Sequence, residues 1–350
     1  MSQFTPRILL ALLLALPGCG DRLVEFARDD AGAGEPDAGT APMVIATSPG
    51  HQDQGLSVTR RITAQFSRTM DPATFDASSF VVRQGADPVA GAVTCVGDTA
   101  TFVPAAPLAR SREYTVTVTT AAADPRGRRL VSDHVWTFTT GSCSQDRAAL
   151  RSAAAFAVLA GSTVTTTGAT VITGDLGVSP GTAVTGFPPA TLQGTLHAGD
   201  AAAALAIADL TTAYAEIARR SLCAVNVAGD LGGQTLAPGL YRSTSGLAVT
   251  TADLTLDGQG DQDAVFVFQM ASTLTVAAGR HLILTGGVRE ENIIWQVGTS
   301  ATLGTSSSFA GTILADQAIA LATGATHSGR LLARIAAVSM DSNTIAVPAR

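Results

Sequence analysis

The sequence predicts a mainly β protein in which a β-sandwich is followed by a solenoid of short stacked strands, with one long α-helix beside the solenoid. Short alternating strands separated by turn signals fill residues 43–141. Short apolar segments then recur without a constant period over residues 152–349, as in solenoids whose coils bury their faces only by stacking. The alanine-rich stretch 201–221 has the composition of a helix.

Composition supports this fold class and excludes several functions. The 350 residues are enough for two domains with a substantial core. Hydrophobic residues reach 46%, carried by Ala, Val and Leu, and such small or β-branched side chains suit stacked β layers. Charged residues are only 14% and the net charge is −6, so nothing favours binding to nucleic acid or to an anionic membrane surface.

The N-terminus has the pattern of an export signal. Arg7 is followed by the apolar segment 8–16, which is too short to span a bilayer, and by LPGC at 16–19. This ending resembles the lipobox of bacterial lipoproteins, which implies that residues 1–19 are removed or modified and that Cys19 carries lipid. An ordinary secretory signal is the alternative. Residues 20–42 are rich in Gly, Ala, Asp and Pro and are predicted to be a disordered linker. We therefore expect the protein to be anchored in the cell envelope or secreted.

The predicted sandwich contains a recognisable pair of segments. FSRTMDP at 66–72 and WTFTT at 136–140 resemble bacterial Ig-like domains of the surface-layer type. The resemblance implies an Ig-like β-sandwich over residues 43–141 that serves as a spacer or stalk.

The second part carries a more extensive resemblance. GDLGVSPG at 174–181, TGFPP at 185–189 and the helix that follows resemble microbial β-helical ice-binding proteins, as do LDGQGD at 256–261 and GTILA at 311–315. This implies that residues 142–350 form a discontinuous right-handed β-helix with the long helix packed alongside. Asp200 is a suitable N-cap for that helix. The predicted buried stripe is Ala202, Ala206, Leu210, Ala213 and Ile217.

In that family, ice contacts a flat β-helix face with Thr-rich motifs of the form T-A/G-x-T. Three tetrapeptides match, at 167–170, 182–185 and 323–326, and the tetrapeptide 299–302 nearly matches. β-Branching fixes the threonine side chain, and strand stacking repeats it along a second axis. The competing interpretation is that threonine is simply common on exposed sheets. The sequence also leaves open which of the three faces each strand joins. The candidate ice contacts are Thr167, Thr170, Thr182, Thr185, Thr299, Thr302, Thr323 and Thr326.

Other possible sites are weaker. Ser179 lies in a G-x-S-x-G pattern, but Pro180 follows it and lacks the N–H that an oxyanion hole needs, so we predict a turn. Asp257, Asp261 and Asp263 miss the calcium-loop register and are expected to form a solvated turn. His327, beside a Thr motif, is expected on the surface. No catalytic residue, cofactor or metal site is predicted.

Without Cys19, three cysteines remain, which cannot all pair internally. We predict a Cys143–Cys223 disulfide, because both residues are expected near one end of the second domain. Taken together, these features predict a monomeric ice-binding protein that is not an enzyme, with ice or ordered water as its partner, no nucleic-acid partner, and membrane contact only through its lipid. The alternative is a cell-surface adhesin or structural envelope module that binds glycan or protein.

Overall fold

The computed structural model describes residues 40–347. The predicted signal sequence, lipidation at Cys19 and most of the linker 20–42 lie outside the described residues. Beyond Thr40, the described residues belong to one compact unit.

The first domain is a sandwich of two mainly antiparallel sheets. Alternation in the strand His134–Thr140 directs Trp136 and Phe138 into the core, where Phe80 and Phe102 meet them from other strands. The first sheet contains, in spatial order, Val44–Ser48, Ile62–Phe66, Thr99–Pro104 and Gly91–Val96. The second contains Asp53–Leu56, His134–Thr140, Glu113–Val118, Phe80–Gln84 and Asp87–Pro88.

The second domain is a three-sided β-helix with parallel strand pairing, and we name each side by a feature that it carries. The helix-covered face consists of Phe156–Ala160, Asp175–Val178, Leu196–Ala198, Val225–Asn226, Gly239–Ser243, Phe266–Met270, Ile293–Val297 and the C-terminal halves of Ser308–Ala315 and Thr326–Ala333. The Thr165 face consists of Ala183–Thr185, Thr163–Thr167, Val338–Asp341, Ile319–Leu321, Ala301–Leu303, Leu274–Val276, Leu247–Val249 and Gly229–Asp230. The Thr326 face consists of Thr191–Gln193, Val171–Thr173, Thr344–Ala346, the N-terminal halves of Thr326–Ala333 and Ser308–Ala315, then Leu282–Thr285, Leu254–Asp257 and Thr235–Leu236.

The two longest strands turn a corner between faces. Gly311 and Gly329 pair in register in the middle of Ser308–Ala315 and Thr326–Ala333, with φ of 104° and 147°. Glycine reaches these angles without the steric penalty of a Cβ atom. Each strand therefore contributes to two faces.

The β-helix is discontinuous, as predicted. Phe156–Ala160 pairs with Thr326–Ala333, and Thr163–Thr167 pairs with Val338–Asp341. The first coils of the domain therefore stack on its last ones, and the chain must cross to the far end before it continues.

The helix Ala201–Ala218 makes this crossing and ends three residues before the predicted boundary at 221. The Asp200 side chain caps it by accepting a hydrogen bond from the Ala203 N–H at 2.8 Å. Its buried stripe contains Ala203 where Ala202 was predicted, together with the other four predicted residues. This stripe packs on outward side chains of the helix-covered face, including Leu240, Val267, Ile294, Leu314 and Leu332.

Several strands of that face, such as Phe266–Met270 and Ile293–Val297, are therefore buried on both sides. The helix is long and apolar enough to cross a membrane by length and composition alone, but its buried stripe belongs to this packing.

The predicted disulfide is present. Cys143 and Cys223 are bonded, with their Cα atoms 5.5 Å apart. The Gln145 amide donates to the carbonyls of Cys143 and Leu222 at 3.1 Å each, which joins the segment before the β-helix to the segment after the helix. Cys95 is free and buried inside the sandwich.

Candidate functional site: the Thr165 face

The Thr165 face presents one aligned row of small side chains across eight strands. In the six strands from Leu247–Val249 to Thr163–Thr167 two inward residues flank an outward one, as in Leu274-Thr275-Val276 and Ala301-Thr302-Leu303. In Ala183–Thr185 the middle residue Val184 packs inward, and Thr185 points outward. Strand register places these outward residues opposite one another, and it continues the row to Asp230 at the end of Gly229–Asp230. The row is Thr185, Thr165, Ser339, Ala320, Thr302, Thr275, Ala248 and Asp230.

The row is regular because neighbouring strands lie about 4.8 Å apart. From Thr185 to Ala248 it holds no charged side chain. The Thr185 and Thr165 hydroxyls lie 3.4 Å apart. Each threonine offers a methyl group and a hydroxyl in a fixed rotamer, so the face can order water at a regular spacing without a strongly hydrated ion.

Two carboxylates lie at the limits of this face, and both are held by hydroxyl groups. Asp230 ends the row and accepts from the Thr250 hydroxyl at 2.6 Å and from the Thr250 N–H at 2.9 Å. Burial raises the pKa of Asp230, but the hydrogen bonds from Thr250 and Gly232 outweigh it and hold this pKa well below its usual range. Asp341 lies at the edge, where the Thr323 hydroxyl donates to it at 2.5 Å and lowers its pKa.

The eight threonines predicted from motifs do not share one row. Thr185 and Thr302 lie in it. Thr167 is exposed beside Asp341 on the same face, and Thr182 is exposed just before the strand Ala183–Thr185. Thr323 is exposed at the corner that leads to the Thr326 face.

The other three predicted threonines lie elsewhere. Thr326 is exposed but opens a strand of the Thr326 face. Thr299 is half-buried at a corner, and its hydroxyl is buried without a hydrogen-bond partner. Thr170 is fully buried, and its hydroxyl bonds that of Thr166 at 2.7 Å. The prediction that Thr170 contacts ice at the surface is therefore wrong, because its side chain points inward.

The sequence motifs missed Thr165, Thr275 and Ser339, which fill the row between and beside the predicted residues. A different signal would have found Thr275 and Ser339, although not Thr165, which lies in the threonine run 165–167. A small residue between two apolar ones recurs in LAV, LTV, ATL, IAL and VSM, and its period of two is that of a half-buried strand.

The Thr326 face is less uniform. Its outward residues Thr191, Val171, Thr344, Thr326 and Ser308 are aligned, but beyond Ser308 the pairing continues only through a bridge to His281. The exposed Ile283 and the partly exposed Asp257 then interrupt the polar surface.

Three expectations outside the face are corrected or refined. His327 is 2% exposed and points into the core, so the expected surface position is wrong. Asp261 and Asp263 are also buried, and arginines pair with both carboxylates, so the expected solvated turn is wrong. Ser179 is buried directly after the strand Asp175–Val178. Within residues 40–347, no group of three or more His, Cys, Asp or Glu could hold a metal ion.

Comparison with known proteins agrees with both domains. Residues 158–346 match the ice-binding-like family, and residues 38–140 match a bacterial Ig-like domain. The chain is 48% identical over 197 residues to an ice-binding protein of Nostoc sp. strain HG1, covering 56% of this chain and 72% of that protein. It is 36% identical over 211 residues to an ice-binding protein of Flavobacterium frigoris strain PS1, covering 56% of this chain and 75% of that protein. Among solved structures, an ice-binding protein from an Antarctic biological consortium is similar, with 54% identity, a TM-score of 0.58, and coverage of 59% of this chain and 93% of that one.

Proposed function

The chain belongs to the ice-binding-like family, and we propose that it binds ice through the Thr165 face. The observation that carries this proposal is the aligned, charge-free row from Thr185 to Ala248. The relatives reported above are named as ice-binding proteins, which supports the same activity here and supports a function without catalysis.

The proposed mechanism is adsorption through ordered water. Methyl groups on a flat surface leave the nearby water unable to bond to the protein, while the neighbouring hydroxyls can hold it in place. A charged side chain would instead bind water in the geometry of its own hydration shell. A surface that presents small groups about 4.8 Å apart across the strands therefore favours water in a lattice-like array, which can join a growing ice crystal.

The Thr165 face suits this role better than the Thr326 face. It forms one continuous sheet of eight strands, whereas the Thr326 face is joined through a single bridge at His281. It is also free of the helix, which covers a different face.

The decisive experiment places a bulky side chain in the row. Thr302→Tyr and Thr275→Tyr should abolish thermal hysteresis and inhibition of ice recrystallisation, because tyrosine rises above the plane of small residues. The melting temperature should change little, since outward surface positions usually alter stability by within about 0.5 kcal/mol.

Thr326→Tyr is the matched control, an exposed threonine on another face, and it should keep full ice activity. Loss of activity in the control alone would move the site to the Thr326 face. A folded wild-type protein with no ice activity would overturn the proposal and favour an adhesin that binds glycan or protein.

We further propose that the protein is a lipoprotein anchored to the cell envelope through Cys19. Support comes from the LPGC ending and from the linker composition of residues 20–42. Several acyl chains at about 0.8 kcal/mol per buried CH₂ would anchor it stably. Cys19→Ser should release the protein from the membrane fraction, and unchanged fractionation would reject lipid anchoring.

A further inference from the structure

A short loop of the β-helix binds the Ig-like domain through two buried aspartates. The loop follows the strand Leu254–Asp257 and contains Asp261 and Asp263. Asp261 accepts from the Ser57 N–H at 2.9 Å and pairs with Arg60 at 2.6 Å. Both side chains of this ion pair are less than 10% exposed, at 7% and 9%.

Asp263 binds both the Ig-like domain and the segment that joins the two domains. It accepts from the Arg61 N–H at 2.6 Å, and its carbonyl accepts from the Thr59 hydroxyl at 3.2 Å. Its carboxylate also pairs with Arg147, in the segment between the domains, at 2.5 Å. The Arg289 guanidinium of the β-helix lies 3.9 Å from the same carboxylate.

The junction depends on these polar contacts because the apolar cores are separate. In the described part of the chain, the buried cluster around Trp136 lies within the Ig-like domain, and the clusters around Trp295 and Leu210 lie outside it. Ions taken out of water are stable only when they are paired and hydrogen-bonded. The aspartates therefore hold the domains in one orientation and penalise others that would leave a buried charge unpaired.

The position of the loop decides which side of the β-helix the Ig-like domain occupies. Residues 258–265 connect the Thr326 face to the helix-covered face. Glu291, which pairs with Arg61 at 3.3 Å, lies in the equivalent connection of the next coil. In a three-sided solenoid, this corner is the one opposite the Thr165 face.

We propose that the Asp261–Asp263 loop is an ionic lock that makes the Ig-like domain and the β-helix one rigid unit. In this unit the Ig-like domain holds the β-helix in a fixed orientation. The Thr165 face is then unobstructed and directed away from the Ig-like domain. The lock goes beyond ice binding and does not depend on it.

The test uses the full chain with Cys19→Ser and compares it with the same chain carrying Asp261→Asn and Asp263→Asn. Small-angle scattering should show a single compact particle for the parent and a larger radius of gyration for the variant. Limited trypsin digestion should cleave after Arg147 about tenfold faster in the variant, because cleavage follows the population of the open form.

Asp316→Asn is the matched control, since it removes a 2.8 Å ion pair with Arg334 inside the β-helix. It should leave both measurements unchanged. If the double variant does not fold, Arg61→Ala removes two pairings of a partly exposed arginine and should shift both measurements in the same direction. An unchanged radius and cleavage rate in a folded lock variant would overturn the proposal, whatever the outcome of the ice assays.

Discussion

His327 shows how a single residue can be misread from its neighbours in the sequence. It follows the exposed Thr326, but strand alternation turns it inward, where it lies in register with Phe309. Its Nε2 is 2.9 Å from the Gly311 carbonyl, to which it donates when that nitrogen carries the proton. Burial lowers the pKa of His327 to about 4, despite the opposing effect of the hydrogen bond to Gly311.

This shift predicts a loss of stability in mild acid. The unfolded chain binds a proton near pH 6.5 and the folded chain only near pH 4, so the free energy of unfolding falls as the pH drops through that window and stays reduced below it. Between about pH 7 and about pH 5 the expected loss is about 2 kcal/mol. Urea titrations at both values test it, and His327→Gln should remove most of the difference. An equal pH dependence in wild type and variant would contradict this assignment.

At the scale of one element, the helix Ala201–Ala218 offers a matched pair of leucines. Leu210 is fully buried against the helix-covered face, whereas Leu205 is 57% exposed. Leu210→Ala should lower the free energy of unfolding by about 2–5 kcal/mol, because it removes buried methyl groups and leaves a cavity. Leu205→Ala should change it by less than about 0.5 kcal/mol. Chemical denaturation measures both, and equal effects would show that the helix does not dock as described.

Strand geometry also explains why the Thr motifs located the site only in part. Residues three apart in one strand point to opposite sides, so both threonines of a T-x-x-T motif can face outward only when a corner lies between them. Thr323 and Thr326 consequently lie on either side of a corner. Thr167 points outward at the end of its strand, while Thr170 turns inward. The sequence motifs identify the family, but alternation of apolar and small residues identifies most of the row.

At the scale of the whole molecule, the order of domains and the helix were predictable because each has a local signal, such as the strand alternation of 134–140 or the Asp200 cap. The contacts between the domains were not predictable from the sequence. Asp261 and Arg60 are about two hundred residues apart, and an aspartate in a Gly-rich turn has the same local pattern whether solvent or a buried arginine faces it.

The discontinuous order of the coils has a consequence for the stability of the β-helix. Val158 pairs with Leu331 across the seam between the first and last coils, and both side chains are fully buried. If the seam is part of one cooperative unit, amides in 156–160 and 326–333 should exchange hydrogen with the same free energy of opening. Val158→Ala should then accelerate exchange in both segments by a similar factor, on the order of tenfold or more, because the lost packing destabilises them together. Hydrogen-exchange mass spectrometry measures this directly. Faster exchange confined to residues 156–160 would instead show that the first coils open independently of the strands on which they stack.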